Sequence, residues 1–159
     1  MRKKSRYKPR PIIPDAMAYV RSGLLKITQV PEAGTKLQLL NYSSLDEIIR
    51  GNPTKTHVDD LINVMNISEI LADKYKIGDD YLDLIYKGQD AVYNMAQRGL
   101  SGKSFRFTGE ELEVVKEVFE LHTEQLKHTS VKQMEKALND VRDVYLHRRA
   151  RVIKPKEEA

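Results

Sequence analysis

Over the last third of the chain, one row of positions recurs at alternating steps of three and four. Leu112, Val115, Phe119, His122 and Leu126 form its first half, and after a break at His128-Thr129-Ser130 it resumes as Val131, Met134, Leu138, Val141 and Tyr145. That spacing keeps side chains on one stripe of a helix, with the near-heptad period of coiled-coil seams. Two such helices joined by a tight turn predict an antiparallel helical hairpin. Its first helix has a clear start: Thr108 followed three residues later by Glu111 is a capping box, in which each residue's side chain meets the other's backbone N–H.

Two further long helices follow from the same logic. From about His57 to Lys74, Val58, Leu61, Ile62, Met65, Ile70 and Leu71 fall on one stripe while Asp59, Asp60, Asn63, Asn66 and Asp73 face away, and Gly78 stops the segment. From about Asp79 to Arg98, Tyr81, Leu82, Ile85, Val92, Met95 and Ala96 point inward. Gly88 sits in the middle of this helix at a cost of about 1 kcal/mol relative to alanine, which predicts a neighbouring helix packed closely against it. Leu61, Met65, Ile85, Val92, Phe119, Leu138 and Val141 are the expected core.

The first fifty residues are less regular. Asp15–Ser22 reads as a short helix stopped by Gly23, entered through Ile12 and Ile13. Residues 24–40, LLKITQV, a PEAG turn and TKLQLL, suit either a small hairpin or two extended strips lying over the helices. Ser43 or Ser44 then caps a short helix closed by Gly51, and Asn52-Pro53-Thr54 is a loop. The fold class is therefore all-α: a five- or six-helix bundle with a C-terminal antiparallel helical hairpin and an extended basic N-terminal arm. Residues 1–14 form the arm, 15–150 the helical domain and 151–159 a charged basic tail.

Charge sharpens this division. The net charge of +4 is not spread evenly: residues 1–22 carry +6 and residues 142–159 carry +3, which leaves −5 for the span between them. Arg2, Lys3, Lys4, Arg6, Lys8 and Arg10 run among Tyr7, Pro9 and Pro11 with no apolar periodicity to fold them. Cations on an extended strand neutralise phosphates and release counterions, and Tyr7 can stack on an exposed base. Arg148, Arg149 and Arg151 extend the last helix, where they offer a second nucleic-acid contact or simply offset its dipole. Either end can also fold back on the acidic body. Glu110, Glu113, Glu117, Glu120 and Glu124 step by three and four along one helix, so five carboxylates share a face that suits a basic protein partner or plain solvent.

Catalytic chemistry finds little support. The absence of cysteine excludes disulfides, thiolate metal sites and a cysteine nucleophile. The four histidines make no metal pattern: His122 lies on the apolar row, His57 with Asp60 and His147 with Asp143 are surface pairs, and His128 sits in a turn. Gly99-Leu-Ser-Gly-Lys-Ser104 ends like a phosphate loop, but Gln97 stands where the first glycine is required and no strand precedes it. No cofactor or metal is expected, and no enzyme. No apolar run approaches the roughly 20 residues of a membrane span, and the basic amino terminus lacks the apolar stretch of a secretory signal, so a cytoplasmic protein without membrane contact is expected.

The basic YKPRP arm running into AYVRSG, then LNYSSLDEIIRG and ELHTEQL, resembles small proteins carried by proteobacterial prophages and plasmids. No activity is attached to that group, so the resemblance brings no site residues. It implies a mobile-element (phage) accessory protein, and such small cysteine-free helical proteins act by binding. The expected partner is nucleic acid or a nucleoprotein, held by the arm. The alternative is a host protein inhibited by direct contact, in the manner of an anti-CRISPR or host-takeover factor. Oligomeric state is left open.

Overall fold

Helix starts written into the sequence organise the fold. In the computed structural model, which describes residues 23–30, 32–147 and 153, five helices of 16 to 20 residues are α1 (Ala33–Arg50), α2 (Lys55–Asp73), α3 (Leu82–Leu100), α4 (Gly109–His128) and α5 (Val131–Leu146). Three open on reciprocal caps: Thr54 with His57, Thr108 with Glu111, and Ser130 with Gln133. Each cap satisfies N–H groups that the first helical turn leaves without partners. Gly51 closes α1 in the left-handed conformation (φ 84°), which glycine adopts without a steric penalty. The all-α class is as the periodicity predicts, and among the described residues the sole strand-like pairing is a bridge between Lys26 and Ser130.

Residues 24–40 form neither a hairpin nor two strips. The chain is extended at Lys26, where it is tied to the α4–α5 turn by Ile27 N–H to Thr129 O (3.0 Å) and Val131 N–H to Leu25 O (2.9 Å). A 3₁₀ turn at Ile27–Gln29 follows, and α1 then runs unbroken through the expected caps Ser43 and Ser44. The reason lies in what α1 buries. Its inward stripe is Gly34, Leu37, Gln38, Asn41, Ser44, Leu45 and Ile48, helical in spacing but interrupted by polar residues, while Leu39 and Leu40 are exposed. Ser44 is buried and donates to Asp60 on α2 at 2.6 Å, so a residue expected to cap a helix instead joins two.

α2 is the central helix and packs against each of the other four. The larger apolar cluster joins Leu45 and Ile48 of α1, Leu61 and Met65 of α2, Ile85, Val92 and Met95 of α3, and Val115 and Phe119 of α4. A smaller one joins Ile27, Ile67, Leu71, Leu126, Met134, Ala137 and Val141. The turn at Thr129-Ser130 delivers α5 from α4, and α5 then takes α2 as its main packing partner. Gly88 lets α3 lie closely on its neighbours: a methyl group there would stand 2.8 Å from Val118 Cγ2 and 2.9 Å from Met65 Sδ.

Three residues expected to face inward do not. Tyr81 is 54% exposed because it lies in the 3₁₀ turn Asp79–Tyr81, one residue before α3 begins. Leu138 (49%) and Tyr145 (46%) leave the stripe of α5, whose buried line is Met134, Ala137 and Val141. At 3.6 residues per turn the buried face of α5 is centred between Met134, Ala137 and Val141, and Leu138 and Tyr145, the alternate members of the expected row, lie roughly 50–70° to one side of it. The other expected core residues, Leu61, Met65, Ile85, Val92, Phe119 and Val141, are buried.

Candidate binding groove

Where α5 crosses α2 beside α3, the three helices leave a groove of about 1240 Å³. Its apolar floor includes Ile62, Met65, Ile70, Val92 and Val141, and Ile153, from beyond the end of α5, lies against it. Residues stepping along the outer face of α2 form one wall, Asp59, Asn63, Asn66, Glu69 and Asp73. Tyr86, Gln89, Asp90 and Tyr93 of α3 form another, and Asp140, Asp143, Val144 and Tyr145 of α5 the third. Among the described residues six carboxylates thus line the groove against one cation, Lys74, which donates to Asp140 at 2.7 Å.

The polar side chains are tied across helices. Asn66 donates to the Tyr145 hydroxyl at 3.0 Å, linking α2 to α5, and Gln89 donates to Glu69 at 2.5 Å, linking α3 to α2. The local field shows in the phenols. Burial raises the pKa of Tyr86, and Glu69, Asp73 and Asp83 push it further up. Burial likewise raises Tyr145, with Asp59 adding to it and the Asn66 hydrogen bond opposing. Lys74 is raised chiefly by its hydrogen bond to Asp140. All three shifts favour the protonated form, as a negative lining requires. Chemically, the groove combines an apolar floor with carboxylate walls, an arrangement suited to an apolar side chain flanked by cations.

The residues singled out from sequence fall elsewhere. Arg2, Lys3, Lys4, Arg6, Tyr7, Lys8 and Arg10 of the arm, and Arg148, Arg149 and Arg151 of the tail, lie outside the described residues, as do Ile12, Ile13 and the helix expected over 15–22. Glu110, Glu113, Glu117, Glu120 and Glu124 are all exposed along α4, and Glu124 pairs with Lys127 at 2.5 Å. The row does not join the groove. Glu111, one residue off it, instead receives both arms of the Arg98 guanidinium and completes the Thr108 cap. Burial alone would raise its carboxyl pKa, but the Arg98 and Thr108 hydrogen bonds and the Arg98 charge bring it below the ordinary value.

The histidines are built into the scaffold. His57 accepts the Thr54 N–H at 3.1 Å, leaving Asp60 to Ser44, and His147 Nδ1 lies 2.8 Å from the Asp143 carbonyl oxygen. His122 is buried 3.0 Å from the Ser68 hydroxyl, and burial, partly opposed by Gln125, lowers its pKa to about 4. Among the described residues no group of three or more histidines and carboxylates is arranged to hold a metal. Gly99–Ser104 begins with the last two residues of α3, at the negative end of its dipole, and Gly99 makes room there for the ring of Phe105. A phosphate would meet the wrong pole at that position.

Sequence reasoning missed the groove. It placed Asp59 at a helix start, whereas α2 begins at Lys55 and its first turn holds no acid, and it placed Asp73 on an outward face, as it is for one helix considered alone. The available signal was that α2 turns carboxylates and amides outward at steps of three and four, from Asp59 to Asp73. That α5 returns to this face was not legible in the pattern. A second, almost wholly apolar groove of about 530 Å³ lies between the start of α1 and α5, lined by Leu25, Ile27, Val30, Leu37, Val131, Met134 and Leu138 among others. No described helix is long and apolar enough to cross a membrane. No family model, curated protein or solved structure matches the chain.

Proposed function

We propose that the chain is a non-enzymatic, cytoplasmic accessory protein of a mobile element that works by binding, with its basic N-terminal arm contacting nucleic acid or a nucleoprotein. The observation that carries this reading is the partition of charge. The helical body bears −5, much of it displayed in an acidic groove and along α4, whereas the segments at its two ends bear +6 and +3. A polyanion is repelled by such a body and finds its complement in the ends. The arm is the stronger candidate, because its six cations lie within ten residues and no hydrophobic stripe competes for them.

The test is the salt dependence of binding. If each of the six cations neutralises one phosphate, log affinity falls with log salt at a slope of about −5 for duplex or about −4 for single strands. Removing residues 2–10 should abolish most of that slope while the circular dichroism spectrum stays helical. No binding by the intact chain, or an unchanged slope after the cut, refutes the reading.

One observation favours a second reading, inhibition of a host protein. The exposed glutamate row of α4 and the acidic groove are two separate carboxylate surfaces, each complementary to a basic protein face. Capture of one host protein from nuclease-treated lysate, lost when Glu113, Glu117 and Glu120 are changed to glutamine, would favour it.

A further inference from the structure

We propose that the segment following α5, residues 148–159, docks in the acidic groove of its own chain, with Ile153 as the apolar anchor. The first observation is positional. Ile153 is half-buried, packs against the larger apolar cluster and lines the groove together with Met65 and Val92. α5 ends at Leu146, so six residues, 147–152, connect its end to this anchor. Extended, they reach about 20 Å, enough to return along the groove wall that α5 itself supplies.

The second observation is complementarity. The residues around the anchor read Arg148-Arg-Ala-Arg-Val-Ile-Lys-Pro-Lys156, five cations about an apolar centre. The groove presents the matching pattern, an apolar floor within walls that hold, among the described residues, six carboxylates and one lysine. Long cationic side chains lay their methylene stems along apolar surface while their charged ends stay in water, so the tail fits without burying an unpaired charge. Individual exposed ion pairs contribute only about 0–1 kcal/mol, and burial of Ile153 fixes the register. Tethering supplies the remainder, because a short linker holds the segment at roughly millimolar effective concentration.

Docking of this kind has a regulatory consequence independent of what the arm binds. The tail occupies the groove as an internal ligand, and a partner carrying a basic segment with an apolar centre gains access only by displacing it. The tail's cations are then engaged in cis and are withdrawn from other anions.

The experiment uses the full-length chain, whose lack of cysteine lets a single nitroxide be placed at Lys154→Cys. Nuclear magnetic resonance of the isotopically labelled protein should show loss of amide signals around Asn66, Glu69 and Gln89, with α4 near Glu117 unaffected. Adding Ile153→Glu should restore the groove signals, and raising the salt concentration should restore them in part. Because Ile153 lies beyond the last helix, this variant keeps the bundle intact, which the unchanged remainder of the spectrum would verify. Undisturbed groove amides in the parent, or a loss that persists unchanged in Ile153→Glu, overturns the proposal. So does signal loss that is equally strong in mixtures in which spin label and isotope reside on different molecules, since the groove would then hold a second copy's tail.

Discussion

Replacing Gly88 with alanine sets two known effects against each other. In an unconstrained helix interior the change stabilises by about 1 kcal/mol, because glycine loses more backbone freedom on folding. Here the added methyl group would lie 2.8 Å from Val118 Cγ2 and 2.9 Å from Met65 Sδ, both inside normal contact. Met65 has rotatable bonds, but it is fully buried and its room to move is small. Val118 is fully buried on α4 and, being β-branched in a helix, is held to one rotamer. Overpacking of this type costs about 1–3 kcal/mol, so the contact outweighs the propensity and the expected result is a net loss of about 1 kcal/mol. For a chain of this size that corresponds to a fall in Tm of roughly 2–4 °C. Urea denaturation of Gly88→Ala, Val118→Ala and the double variant resolves the cause: the alanine penalty should vanish, or turn into a gain, once Val118 is shortened. A single Gly88→Ala variant more stable than the parent by about 1 kcal/mol would show that α3 and α4 separate freely and that the close approach has no energetic consequence.

Phe119 is 2% exposed and meets Tyr42 edge-on at 5.4 Å between ring centroids, so Phe119→Ala should cost about 3–5 kcal/mol in denaturant titration, and a loss below about 1 kcal/mol would contradict its place in the core. His122 takes its proton at about 4 when folded and near 6.5 when unfolded, so between those values the unfolded chain binds the extra proton. Its contribution to stability is complete above 6.5 and is lost as pH falls towards 4, by roughly 3 kcal/mol in all. In His122→Gln that part of the pH dependence should disappear, and an identical pH profile would refute the assignment.

The legible parts of the fold were those whose signals are local. Thr108 with Glu111 marks the start of α4 because both halves of the cap lie within four residues, and Gly88 announces close packing because nothing else justifies glycine in mid-helix. The end of α1 at Gly51 was read from the sequence, but its first half was hidden for the opposite reason. Gln38, Asn41 and Ser44 occupy its inward stripe, and the polarity of Ser44 makes sense only once Asp60 of the next helix stands opposite. The groove was hidden by the same kind of distance. Its carboxylates come from three helices, and nothing in α5 alone specifies that it returns to α2. Ile153, in a tail read as merely charged, became informative only when its neighbours in space were known.

The central position of α2 has a bearing on how the chain is made. Synthesis proceeds from the amino terminus, so α2 leaves the ribosome second among the described helices, while the helix that covers one side of it leaves last. During that interval Ile67 and Leu71 have α1, α3 and then α4 nearby but lack Met134, Ala137 and Val141, their partners in the smaller cluster. The nascent protein therefore carries an apolar strip, bordered by the uncovered acids of α2, until α5 emerges. A newly made chain in this state is a substrate for chaperones, and premature termination before Val131 yields a product exposed to aggregation through that strip.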